Sequence, residues 1–113
     1  MTTKEAAKAI VTALDSKKGL DIHVIEIADI STLADYFVIC TGTSNTHINT
    51  LCDAVEEAMD GTDDQLISRE GHRSGTWVLL DYGGVVVHVF TDETRKFYDL
   101  ERLWSDGKEV QLI

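Results

Sequence analysis

A chain of 113 residues with 43% hydrophobic and 27% charged side chains has room for one domain with one core, and its composition lies far from that of disordered chains. Twenty acidic against ten basic side chains give a formal charge of −10. That field disfavours phosphate backbones and anionic lipid surfaces, and it favours either plain solubility or encounter with a basic protein.

The chain opens on Thr2 and Glu5 at capping-box spacing, after which Ala6, Ile10, Ala13 and Leu14 fall on one helical stripe. Lys17 and Lys18 suit the C-terminal dipole of this helix, and Gly19 is its natural terminator. Met1 to Ile10 carries charged residues and no apolar signal core, and no run is long enough to cross a bilayer, so neither export nor anchoring is expected. Residues 21–27 are rich in Ile and Val and read as a strand buried on at least one face. A polar connection, 28–35, leads to Tyr36–Thr41, a more fully buried strand that ends at Gly42.

Ser44 caps a second helix in which Ile48, Leu51, Val55 and Met59 recur at intervals of three or four, closed by Asp60-Gly61. Residues 62–65 read as loop, 66–70 as a short strand and 71–75 as a shaped loop. Cys40 and Cys52 fall inside apolar segments without CxxC spacing, which points to reduced, buried side chains and a cytoplasmic setting.

Trp77–Tyr82 and Val85–Phe90 flank Gly83-Gly84, the dipeptide of a two-residue hairpin turn. Thr91 or Asp92 then caps a third helix with Phe97, Leu100 and Trp104 on its inner stripe, and 105–113 remain unassigned. The order is helix, two strands, helix, up to three strands, helix. The expected fold class is α/β (α+β), a mixed β-sheet packed with about three helices.

A two-residue turn fixes which side chains share a face. One face carries Val78, Leu80, Tyr82, Val85, Val87 and Val89, and the helices must cover it. The other carries Trp77, Leu79, Asp81, Val86, His88 and Phe90, a mixture characteristic of protein interfaces. Either a partner covers that second face, with Trp77 as its hot spot, or the third helix or the C-terminal tail does. A three-residue turn would reverse the parity.

Other chemistry is weakly signalled. Gly42-Thr43-Ser44 at a strand-to-helix junction is a place for a phosphate and has the glycine-serine pattern of nucleotidyltransferases. The paired metal-binding carboxylates such an enzyme needs are not offered by Glu70, Asp63 and Asp64. His23, His47, His72 and His88 lack the spacing of a zinc site or a nucleophilic relay; His23 and His88 suit hydrogen-bonded structural roles. No cofactor, metal or catalytic residue is expected, and no sequence-specific contact to nucleic acid.

The stretches Asp35-Tyr36-Phe37-Val38-Ile39 with Gly42 and Ser44, Glu70-Gly71, Trp77 to Gly83, Val86 to Phe90, and Arg95 with Tyr98 to Trp104 resemble the ribosomal silencing factors, the RsfS or Iojap family. Gly84 departs from the aspartate frequent in that family. The resemblance covers nearly the whole chain and implies a nucleotidyltransferase-like fold without its catalytic carboxylates. It also implies a homodimer in isolation, docking on the large ribosomal subunit through its protein fourteen, and a steric block to small-subunit joining when nutrients are scarce. By the same resemblance, partner contact is expected at Trp77, Leu79, Asp81 and Tyr82, and at His88, Phe90, Arg95 and Tyr98. Tyr82 comes from the family motif alone, since hairpin parity places it inside.

Overall fold

The computed structural model describes residues 2–29, 32, 34–71, 75–97 and 107–110. Helix α1 (Thr3–Ser16) starts as expected: Thr2 Oγ1 accepts from the Glu5 amide at 3.1 Å while the Glu5 side chain reaches back to the Thr2 amide. Its end differs from the expectation. Lys18, with φ +63°, takes the left-handed position after the helix. Gly19 serves close packing instead, because a Cβ there would lie 2.5 Å from Cys40 Sγ.

Strand β1 (Leu20–Glu26) pairs antiparallel with β2 (Tyr36–Gly42), and α2 (Asn45–Met59) follows, capped by Ser44. Strand β3 (Ser68–Gly71) begins two residues later than predicted and pairs with β4 (Trp77–Asp81). Strand β5 (Val85–Thr91) leads into α3 (Asp92–Phe97), and β6 (Lys108–Val110) adds a strand that the sequence reading missed.

The strands form one mixed sheet in the order β3-β4-β5-β2-β1-β6, in which β2 and β5 run parallel and the other neighbours antiparallel. The first face of the hairpin supplies the core. Val78, Leu80, Val85, Val87 and Val89 are buried with Val38 and Cys40 beneath Ile10 and Leu14 of α1 and Ile48, Leu51 and Val55 of α2. Each such aliphatic side chain contributes about 1.5–3 kcal/mol on full burial. The alanines at 6, 7 and 13 keep α1 close against its neighbours. Both helices therefore lie on one side of the sheet, which leaves the other side to be accounted for.

On α3 the expectation needs correction. Thr94 and Arg95 point inward, whereas Phe97 is 79% exposed. Two residues apart on a helix means about 200° of rotation, so a helix that buries Arg95 must turn Phe97 outward. Leu100, Tyr98 and Trp104 lie outside the described residues. No helix among the described residues is long and apolar enough to cross a membrane.

Candidate protein-docking face

The hairpin register settles the parity. Trp77 pairs with Phe90, Leu79 with His88 and Asp81 with Val86, as a two-residue turn requires. The turn itself is built from Gly83, at φ +83°, whose amide donates to Asp81 Oδ1 at 2.8 Å. Parallel pairing then carries the second face across β2, setting Phe37 beside Val86, Ile39 beside His88 and Thr41 beside Phe90. Ile25 of β1 continues the row next to Phe37.

The face that results is graded. Phe90 and Ile39 are fully buried, with Trp77, Phe37 and Ile25 packed against them and partly exposed. Leu79, Asp81 and Val86 are likewise only partly covered. Arg95 caps the buried end: its guanidinium lies 5.6 Å from the Phe90 ring centre and donates to Thr41 Oγ1 at 2.9 Å and to the Asp21 carbonyl at 3.2 Å.

His88 sits between the two ends and is 7% exposed. Trp77 Nε1 donates to its Nδ1 at 3.4 Å, and Phe37 meets its ring edge-on at 5.2 Å. With Nδ1 accepting, the ring proton belongs on Nε2. Burial lowers the His88 pKa to about 4, so the imidazole is neutral in this apolar setting. It orients the indole of Trp77 and is not a charge offered to solvent.

The candidates from sequence thus separate by depth. Trp77, Leu79 and Asp81 form the accessible part of the face, while His88, Phe90 and Arg95 support it from beneath. Tyr82 lies on the opposite, helix-covered face, 6% exposed, as the parity argument anticipates. Burial and the neighbouring Glu56 charge push its phenol up to about 12. Tyr98 falls outside the described residues. Phe37 and Ile25 were missed, because the pairing that brings β2 beside β5 is not local in sequence.

At the Gly42–Ser44 junction the Thr43 amide is already committed. Thr43 N–H donates to His47 Nδ1 at 2.9 Å, Ser44 Oγ accepts from the His47 amide at 3.1 Å, and His47 Nε2 donates to the Lys17 carbonyl at 2.9 Å. The histidine ties the end of β2 to the end of α1, and the Thr43 amide points at a ring nitrogen. Glu70 is no partner for this loop: β3 stands three strand spacings from β2, about 14 Å. Among the described residues no group of three or more His, Cys, Asp or Glu side chains converges to hold a metal ion. Both thiols, Cys40 and Cys52, are buried, and desolvation pushes each up to about 12.

Comparison with known proteins places this geometry in a family. The family model for "Ribosomal silencing factor during starvation" matches residues 1–113. The ribosomal silencing factor RsfS of Bacillus subtilis is 38% identical over 112 residues, covering 99% of this chain and 95% of that protein. The mouse protein named "Mitochondrial assembly of ribosomal large subunit protein 1" is 31% identical over 99 residues, which span 85% of this chain and 43% of that longer protein. An X-ray crystal structure of a Chromobacterium violaceum protein superimposes with a TM-score of 0.88 at 34% identity, covering 100% of this chain and 94% of that one. The family match runs over the full length given, and the chain belongs to the ribosomal silencing factor family, RsfS.

Proposed function

We propose that this protein docks on the large ribosomal subunit through the second face of its sheet and so keeps the small subunit from joining. The contact is made with the large-subunit protein fourteen, and the result is repression of translation when nutrients are limiting. The protein works in the cytoplasm and performs no catalysis. It is a steric device, and when free it is a homodimer.

The observation that carries this reading is the graded face: Trp77, Leu79, Asp81 and Phe37 lie partly exposed over a rigid floor of Phe90, Ile39 and His88. Large aromatic side chains held at an open surface have the composition and preorganisation of an interface centre. The charge of −10 supports a basic partner, since it speeds encounter and selects against acidic surfaces. Arg95 acts by holding Phe90 in place, the family resemblance adds Tyr98 to the contact set, and Tyr82 supports the hairpin from its helix-covered side.

Retention on purified large subunits, with and without protein fourteen, tests the proposal. Wild type is expected to be retained only when protein fourteen is present, and Trp77→Ala is expected to weaken retention by about 2 kcal/mol or more, roughly thirtyfold. Equal retention on particles lacking protein fourteen would overturn the assignment.

A second reading draws on the mouse relative, whose name refers to assembly of the large subunit. Docking during assembly would use the same face. Subunit joining measured with mature particles separates the two: inhibition supports silencing, and unimpaired joining together with slowed particle maturation in its absence supports assembly.

A further inference from the structure

The register that builds the second face also decides which charges lie on it. Alternation along β3 sorts its two ions to opposite sides of the sheet: Arg69 pairs with Leu80 and turns toward α2, whereas Glu70 pairs with Leu79 and turns toward the second face. Arg69 is engaged on its own side, donating to Asp53 Oδ1 at 3.0 Å and pairing with Glu56. Glu70 is exposed, and among the described residues no cation meets it.

Asp81 stands beside it. Its register partner is Ser68, which makes Glu70 and Asp81 diagonal neighbours on adjacent strands, about 7–8 Å apart and within reach of one long side chain. One Asp81 oxygen is held by the Gly83 amide, so the carboxylate is fixed in place, and no cation among the described residues balances it either. The opposite margin differs. The row through Asp81, Val86, Phe37 and Ile25 ends at Glu109 on β6, four strand spacings or about 19 Å from Asp81, and there the ring of His23 meets the carboxylate. The aromatic floor therefore lies between one unbalanced acidic margin and one margin already paired.

We infer that Glu70 and Asp81 together receive one basic side chain of the docking partner, an arginine or lysine at the margin of the partner's apolar patch, and that this pairing fixes which way round the partner lies. The inference rests on the docking proposed above and adds Glu70 to it. Acidic side chains alone would be a solvated edge, but these two adjoin Leu79, part of the accessible face. A partner seated there covers them and must supply the missing charge, since a carboxylate taken out of water without a counterion is costly. A guanidinium or an ammonium carries enough N–H donors for two carboxylates at this spacing. Turned the other way, the same cation would meet Glu109, which already has His23 against it.

Association of the full chain with purified large subunits, followed as retention and as rate across a range of salt concentrations, tests the inference. Glu70→Gln and Asp81→Asn remove charge while keeping shape, and the asparagine retains an acceptor for the Gly83 amide. Each is expected to weaken retention about fivefold and both together about tenfold or more, and the double variant should lose much of the wild-type acceleration at low salt. Glu109→Gln is expected to change retention by less than about twofold. A double variant retained like wild type, or a loss in Glu109→Gln equal to that in Glu70→Gln, would overturn the inference by reducing the margin to part of a diffuse field. Absence of retention in wild type overturns the proposed docking itself and the inference with it, whereas wild-type retention with an undiminished double variant overturns the charge assignment alone. Circular dichroism checks the fold of each variant, and Glu70→Gln, at an exposed position, decides the matter should Asp81→Asn fail to fold.

Discussion

Trp77 and Phe90 face each other across the hairpin with ring centres 6.3 Å apart, yet they answer to different forces. Phe90 is fully buried under Arg95, so Phe90→Ala removes packing and is expected to cost about 3–5 kcal/mol of stability in urea unfolding. Trp77 is partly exposed, and its truncation is expected to spare the fold while weakening the proposed docking; circular dichroism of the two variants separates these outcomes. His88 adds a pH dependence whose sign follows from its environment. The unfolded ring gains a proton as pH falls below 6.5, whereas the buried ring resists until about 4. Its contribution is therefore complete above pH 6.5 and is lost as pH falls from 6.5 to 4, in total about 3 kcal/mol. Carboxylates titrate in the same region, so the measurement is a difference: wild type should lose about 2 kcal/mol more than His88→Gln between about pH 7 and about pH 4.5. Parallel losses in the two proteins would show that His88 is not the titrating group.

At the level of elements, the hairpin turn is held from two directions. Gly83 adopts φ +83°, a conformation that costs an ordinary residue about 1–2 kcal/mol. Gly84 is constrained by contact instead: its carbonyl accepts from the Asp35 and Tyr36 amides at 2.8 and 3.1 Å, and a Cβ on it would lie 2.3 Å from Thr3 Cγ2. Alanine at either position is expected to destabilise, Gly84→Ala by about 1–3 kcal/mol through overpacking. Only the Gly84 variant should be rescued by Thr3→Ala, because removing that methyl does nothing for a strained φ at Gly83. A thermodynamic cycle over the four proteins checks this, and a coupling near zero would refute the contact. The same hairpin shows what sequence reveals. Its turn, its parity and the apolar stripes of α1 and α2 were legible because each depends on neighbours a few residues apart. The parallel join of β2 to β5, which brings Phe37 beside Val86, depends on segments separated by a whole helix and hairpin. Strand β6 was missed for a related reason: Lys108, Glu109 and Val110 have no strand pattern of their own and are recruited by Val24, Ile25 and Glu26. Phe97 was misplaced because apolarity suggested burial, while rotation about α3 gave that place to Arg95.

Among the described residues the sheet has unequal sides, one packed beneath α1 and α2 and one that is buried at a single end by Arg95 and partly exposed along Trp77, Leu79 and Phe37. The −10 charge opposes association of two copies at long range, so a homodimer needs a contact whose apolar burial outweighs that repulsion. Were the partly exposed aromatic face to supply that contact as well as the proposed ribosome contact, dimer and docked monomer would compete for one surface, and the free dimer would act as a store that opens when large subunits are offered. Sedimentation across a range of concentrations tests this coupling. Wild type is expected to pass from one chain to two as concentration rises, with the midpoint moved upward about tenfold or more in Trp77→Ala, in step with its loss of retention on large subunits. Dimerisation that survives Trp77→Ala unchanged, while docking is lost, would place the two contacts on different surfaces and remove the competition.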